Sequence, residues 1–220
     1  DLAQLAGLMP AAVICEILKD DGEMARLPDL IEFAKQHQLK IGTIASLIEY
    51  RSQNERLVER VAQRSVQTAY GTFDLFTYLD KTTQRAHLAL LKGVIRPDVE
   101  TLVRVHEPLS VMDFLEQVDY SHSTSVHDAL KKISQSPRGV LVLMHHGETS
   151  QDLLVRAAAT QEAHPVLRWD PRSYGIGAQI LRDLGVGKMC LLGTPRKLPS
   201  MTGFGLEVVS YCQCQAKENK

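Results

Sequence analysis

Aromatic residues are scarce: Phe, Trp and Tyr make up 5% of the 220 residues. That is too few for the stacking platforms that hold single-stranded nucleic acid. Neither sign of charge dominates either. Lys plus Arg is 25 against 26 for Asp plus Glu, a formal net charge of −1. Without a basic block there is no electrostatic footprint for nucleic acid or an anionic membrane. No apolar run approaches the roughly 18 residues a membrane span needs. Cysteine is limited to Cys15, Cys190, Cys212 and Cys214, with no pair of C-x-x-C units and no disulfide-dense pattern. A reduced, cytoplasmic setting is therefore expected. Cys212 and Cys214 read either as a redox or metal pair on one strand face or as two stray thiols near a terminus, the second being preferred. An opening methionine is also lacking, and no signal or transit peptide fits the start at Asp1. The expectation is that something was removed upstream or that these residues are part of a longer polypeptide.

What is present is globular in character, with 44% hydrophobic and 23% charged residues. At roughly 150 residues per domain, the length suits one large domain or two modest ones. Leu2, Leu5 and Leu8 suggest a short helix stopped by Pro10. The apolar stretch from Ala11 to Leu18 fits a buried strand, and Asp20-Asp21-Gly22 then turns it into a hairpin. Pro28-Asp29 opens an amphipathic helix to about Leu39, and Ser46 to Arg51 is helical again. Residues 1–51 are too few for an independent core, so they read as the end of a domain. Residues 52–65 are charged and polar with few apolar anchors, as a linker or connecting helix would be.

From residue 66 the texture changes. Phe73, Leu75, Thr77 and Leu79 alternate as in a half-buried strand, with two more strands at 86–95 and 101–106. Strands and helices then alternate. A helix through Val126, Leu130 and Ile133 follows the cap-rich Ser123-Thr124-Ser125, and Gly139 to Met144 is a short apolar strand. A capping-box pattern at Thr149 and Asp152 opens a helix to about Ala163. Ile176, Ile180, Leu181 and Leu184 form another stripe, ended by Gly185, before strands at Met189–Leu192 and Leu206–Ser210. This order predicts a mixed α/β domain over 66–211 with a tail at 212–220.

Three places carry potential chemistry. Glu16 is a carboxylate within Val13-Ile14-Cys15-Glu16-Ile17. If buried it would be tuned for proton transfer; on a half-exposed strand it would simply face water. Asp170-Pro171 is a sound helix start, which is a purely structural reading; the other is that Arg172 beside it meets a phosphate. Gly175-x-Gly177 lacks the third glycine and the strand-to-turn context of a dinucleotide fingerprint.

The run from Asp1-Leu2-Ala3-Gln4 through Cys15-Glu16-Ile17 and Asp20-Asp21-Gly22-Glu23, continuing to Thr43-Ile44-Ala45-Ser46-Leu47-Ile48-Glu49-Tyr50-Arg51, resembles the C-terminal end of 3,4-dihydroxy-2-butanone 4-phosphate synthase. That family cleaves ribulose 5-phosphate, with magnesium, to formate and a four-carbon phosphate used in riboflavin synthesis. The resemblance implies that Glu16 is its acid/base catalyst. The family's metal- and phosphate-binding residues lie upstream of the match, so the 220-residue chain alone is expected to be inactive where a longer parent is a lyase.

The second resemblance covers about 66–211. Leu102-Val103-Arg104-Val105-His106, Arg138-Gly139-Val140-Leu141, Tyr174 to Val186, Pro195-Arg196-Lys197 and Gly205 to Val209 resemble GTP cyclohydrolase II, in the fusion order of bifunctional riboflavin-biosynthesis proteins. That family opens the imidazole ring of GTP with a zinc-activated water and also needs magnesium. The resemblance implies substrate contacts at Arg104 and Lys197, remnants of catalytic machinery at Asp170 and Arg172, and a homodimer. Its three zinc cysteines, counted without gaps, fall on Leu109, Tyr120 and His122, which cannot together make a three-ligand open site. Its glycine-rich basic loop has become His146-Gly147-Glu148-Thr149-Ser150-Gln151, and an active-site tyrosine falls on Ala158. Zinc is thus expected to be absent and the domain structural or regulatory, with GTP or another nucleotide as its candidate ligand. The alternative is an active cyclohydrolase with a substitute metal site drawn from His106, His122, His127, His145 and His146. In that set His122 and His127 are off the i, i+4 face and His145 and His146 diverge.

Overall fold

The computed structural model describes residues 1–108, 124–145, 147–158, 171–195 and 201–212. The chain divides into two compact units, Asp1–Thr43 and Ile44–Lys220.

The first unit has little regular structure. Helix α1 is one turn, Leu2–Leu5, and α2 spans Leu27–Gln36. The Asp29 carboxylate accepts the Arg26 N–H at 2.9 Å, which starts α2 as a capping box does. It ends before Leu39, where Gln38 takes a φ of 53°. The expected hairpin shrinks to a single bridge between Leu18 and Met24. Gly22 turns it at a φ of +82°, and the Lys19 ammonium binds Asp21 and Glu23 at 3.0 and 2.9 Å. Ala11 to Leu18 is not a buried strand: Val13 is 99% and Ile14 91% exposed. Apolar content makes a strand only where a neighbour accepts its hydrogen bonds and covers its face, and this unit buries only Ala34.

The second unit opens with α3, Ile44–Asn54, which packs on a 3₁₀ turn at Thr202–Phe204. A Cβ on Gly203 would stand 2.9 Å from the Ala45 carbonyl, so glycine sets how close α3 sits. Where the polar composition of 52–65 suggests a linker or connecting helix, the chain finishes α3 at Asn54 and enters strand β1, Val58–Thr68. Strand β1 is mostly solvent-exposed and, among the described residues, paired on one side only, so it carries no apolar alternation to betray it.

Strands β2 (Gly71–Asp80), β3 (Ala86–Lys92), β4 (Thr101–His106), β5 (Gly139–Leu143), β6 (Lys188–Leu192) and β7 (Glu207–Cys212) complete a mixed sheet in the order β1-β2-β3-β5-β4-β6-β7. The pairs from β1 through β3 to β5 are antiparallel; β5, β4, β6 and β7 run parallel. Helices α4 (Val126–Ser134), α5 (Ser150–Ala158) and α6 (Pro171–Asp183) lie between parallel strands in the chain order. The Ser125 hydroxyl caps α4 by accepting from Asp128 N–H at 3.0 Å, and Thr149 with Asp152 boxes the start of α5. Gly185, at a φ of +83°, follows the end of α6.

Both faces of the sheet are covered, so neighbouring residues alternate between two cores. On the α6 side, Phe76, Tyr78, Ala89, Val103, Val140 and Val142 meet Ile176, Ile180 and Leu181. On the α4 side, Phe73, Leu90 and Leu141 meet Ala129, Leu130 and Ile133. The half-buried reading of β2 therefore caught only one of its faces. The mixed α/β class is as expected.

Candidate functional site

Strands β4 and β5 end side by side, and open parallel sheets bind ligands beyond such carboxyl ends. Polar side chains are buried there in numbers that an apolar core does not need. Arg104 and His106 of β4, Glu107 after it, Thr124 ahead of α4 and His87 at the start of β3 are all nearly inaccessible. Burying a guanidinium is costly without partners; one is the Leu192 carbonyl at the end of β6, which accepts from Arg104 Nη1 at 3.0 Å. The Met144 N–H donates to the His106 carbonyl at 2.8 Å, continuing the β4–β5 ladder past its end. His87 Nδ1 accepts the His145 N–H at 3.0 Å, so this ring is held with its proton on Nε2.

Strand alternation sets which face each group serves. Arg104 and His106 share the α4 side with Leu102, whereas His87 shares the α6 side with Ala89 and Leu91. His145 is exposed, and His127 on α4 stands 3.5 Å from the Tyr70 hydroxyl. Within the second unit, His87 and His106 thus stand on opposite faces of the sheet. Among those residues no three His, Cys, Asp or Glu side chains are grouped to hold a metal ion. What the strand ends do offer is a planar cation, Arg104, whose fork geometry suits phosphate or carboxylate.

Of the other residues singled out, Leu109, Tyr120, His122, His146, Asp170 and Lys197 lie outside the described residues. The backbone puts Arg172 in the first turn of α6. Glu16 is exposed, in the first unit. Gly175 and Gly177 are interior to α6, and a Cβ on Gly177 would meet Val105 Cγ1 at an ordinary 3.5 Å. Sequence reasoning missed His87, Glu107 and Thr124. For His87 the signal was present, a polar side chain leading into Leu88-Ala89-Leu90-Leu91.

Helix α6 is anchored at its far end. Asp183 accepts from the Tyr78 hydroxyl at 2.7 Å and from Arg60 Nη2 at 2.6 Å, while Arg60 lies over the Phe76 ring at 4.7 Å. Burial pushes the Tyr78 hydroxyl pKa up, and its hydrogen bond to the Asp183 carboxylate adds to the rise. In the β2–β3 turn, burial works against ionisation of Asp80. Hydrogen bonds from the hydroxyls of Thr82 and Thr83, both 2.6 Å, and from their backbone N–H groups outweigh it and hold the carboxyl below its ordinary range.

Two cysteines expected to be reduced, one of them a stray thiol, are in fact joined. Cys190 of β6 and Cys212 of β7 form a disulfide, with Cα atoms 6.4 Å apart. The parallel register pairs Leu192 with Cys212 and Cys190 with Ser210, so the two cysteines are diagonal neighbours on one face.

Comparisons with known proteins bear on both units. The family model described as GTP cyclohydrolase II matches residues 59–213, and that of 3,4-dihydroxy-2-butanone 4-phosphate synthase matches residues 1–50. A 3,4-dihydroxy-2-butanone 4-phosphate synthase of Neisseria meningitidis serogroup A is 52% identical over 211 residues, covering 96% of this chain and 58% of that protein. The riboflavin biosynthesis protein RibBA of Aquifex aeolicus is 45% identical over 232 residues, covering all of this chain and 57% of that one. The crystal structure of RibBX, a two-domain 3,4-dihydroxy-2-butanone 4-phosphate synthase from A. baumannii, matches with a TM-score of 0.55 and 42% identity, over 98% of this chain and 57% of that one. The chain spans less than three-fifths of the length of these relatives. Among the described residues no helix is long and apolar enough to cross a membrane.

Proposed function

The chain belongs to the GTP cyclohydrolase II family over residues 59–213, behind the end of a 3,4-dihydroxy-2-butanone 4-phosphate synthase domain, and from that premise we propose that it is the C-terminal part of a riboflavin-biosynthesis synthase. In this reading residues 1–51 complete the synthase domain, with Glu16 as acid/base catalyst on ribulose 5-phosphate and magnesium as cofactor in the parent. Exposed Val13 and Ile14 become core residues once the remainder of that domain covers them. Residues 66–211 are a cyclohydrolase frame that regulates or supports the synthase and does not open GTP. The parent works in the cytoplasm as a homodimer.

The silence of the second domain rests on what the resemblance implies: counted without gaps, the family's three zinc cysteines fall on Leu109, Tyr120 and His122. A zinc that activates water needs three protein ligands and an open fourth position. Leucine has no donor atom, so this set does not fit the metal. The name of one relative supports this reading: the Neisseria protein, which matches 96% of this chain, is named for the synthase alone. Arg104, Arg172 and Lys197 remain as phosphate-seeking groups, which supports retained nucleotide binding. A melting-temperature series with GTP, run beside a GTP turnover assay, tests this. A rise with no turnover is expected, since only a ligand that favours the native state raises the transition. Turnover that His122→Ala abolishes restores the cyclohydrolase reading.

A further inference from the structure

The cross-strand cysteine pair belongs to neither the synthase fragment nor the β4–β5 strand ends. We propose that Cys190 and Cys212 are a reversible thiol–disulfide clamp that fixes edge strand β7 to β6 beneath Arg104.

Among the described residues, strand β7 is the last in the sheet and is hydrogen-bonded to β6 alone. That ladder, extended by the Gly193 N–H donating to the Cys212 carbonyl at 3.0 Å, holds the two strands together without any covalent bond. The disulfide is therefore additional to the pairing and not a condition for it. Its two ends differ in access: Cys190 is 2% exposed, whereas Cys212 is half-buried at the rim of the sheet. A thiol reached from solvent with a second thiol behind it is the arrangement in which oxidation ends in a disulfide instead of advancing to sulfinic acid. The clamp also has something to act on. Leu192, the register partner of Cys212, supplies the carbonyl that receives Arg104 Nη1 at 3.0 Å. Closing the bond limits fraying of the β6–β7 end and so keeps that acceptor in place.

The chemistry balances with a hydroperoxide as oxidant. The Cys212 thiolate attacks the peroxide oxygen and becomes a sulfenic acid, and the peroxide leaves as water or an alcohol. The Cys190 sulfur then attacks the Cys212 sulfur, the S–O bond breaks, and the hydroxyl departs with the thiol proton as water. Reduction by a dithiol returns both thiols and oxidises the dithiol to its own disulfide.

The test uses the 220-residue chain, first reduced and then treated with one equivalent of hydrogen peroxide. The intact mass should fall by that of two hydrogens, peptide mapping should join Cys190 to Cys212, and dithiothreitol should reverse both changes in the native protein. Cys214→Ser should behave like the parent; Cys190→Ser and Cys212→Ser should not cross-link. The oxidised parent should melt several degrees above the reduced form, with no such gap in Cys212→Ser. A cross-link mapping to Cys214, or a bond that dithiothreitol opens only after denaturation, overturns the clamp. The mass and mapping results stand on the unmodified chain, so a poorly folding serine variant does not blunt them.

Discussion

Replacing Asp183 by alanine removes the acceptor that joins α6 to the sheet. Its carboxylate takes hydrogen bonds from Tyr78 at 2.7 Å and from Arg60 at 2.6 Å, and the two losses differ in size. Tyr78 is wholly buried, so its hydroxyl would be stranded away from water. An unsatisfied buried donor costs about 1–3 kcal/mol. The Arg60 and Asp183 side chains are 37% and 41% exposed, and solvent screening leaves such a pair about 0.5 kcal/mol or less. The sum is about 2 kcal/mol, a fall in melting temperature of roughly 4–8 °C for a domain of this size. Urea unfolding of Asp183→Ala, Tyr78→Phe and the double variant separates the contributions. With Tyr78→Phe already in place nothing is left stranded, so Asp183→Ala should then cost under about 1 kcal/mol. An equal cost in both backgrounds would refute the assignment of the penalty to the Tyr78 hydroxyl.

Two glycine substitutions should part company. Gly177→Ala should leave the melting temperature unchanged or raise it, because its Cβ meets Val105 at 3.5 Å and a helical alanine gains about 0.5–1 kcal/mol. Gly187→Ala drives a Cβ into the Pro97 backbone and should cost about 1–3 kcal/mol or prevent folding. The Asp80 carboxyl, held low by Thr82 and Thr83, stabilises the fold fully above the ordinary carboxylate range. That contribution is lost as pH falls through the depressed native value. Acid titrations of stability should accordingly be shallower for Asp80→Asn than for the parent, and identical slopes would rule out this contribution.

Much of the second unit was legible. The α6 stripe, the Gly139–Met144 run and the caps at Ser125 and Thr149 are local signals, each carried by a few adjacent residues. Strand β1 was not, because an edge strand facing water is specified by its neighbour's backbone and needs no apolar alternation. Ala11–Leu18 is the converse case, where a strand-like composition finds no partner within its unit. Arg104 was marked only through family resemblance, since a single arginine in Leu102-Val103-Arg104-Val105 also fits a solvated face. Cys190 and Cys212 are 22 residues apart with no motif between them. Only the parallel register of β6 and β7 brings them together.

The central claim is that the cyclohydrolase-like domain has lost its metal chemistry along with its thiolates. Elemental analysis by mass spectrometry after equilibration with excess zinc and gel filtration tests it most directly. Far less than one zinc per chain is expected, unchanged by His122→Ala; one tightly held zinc per chain, lost on that substitution, would restore the metal site.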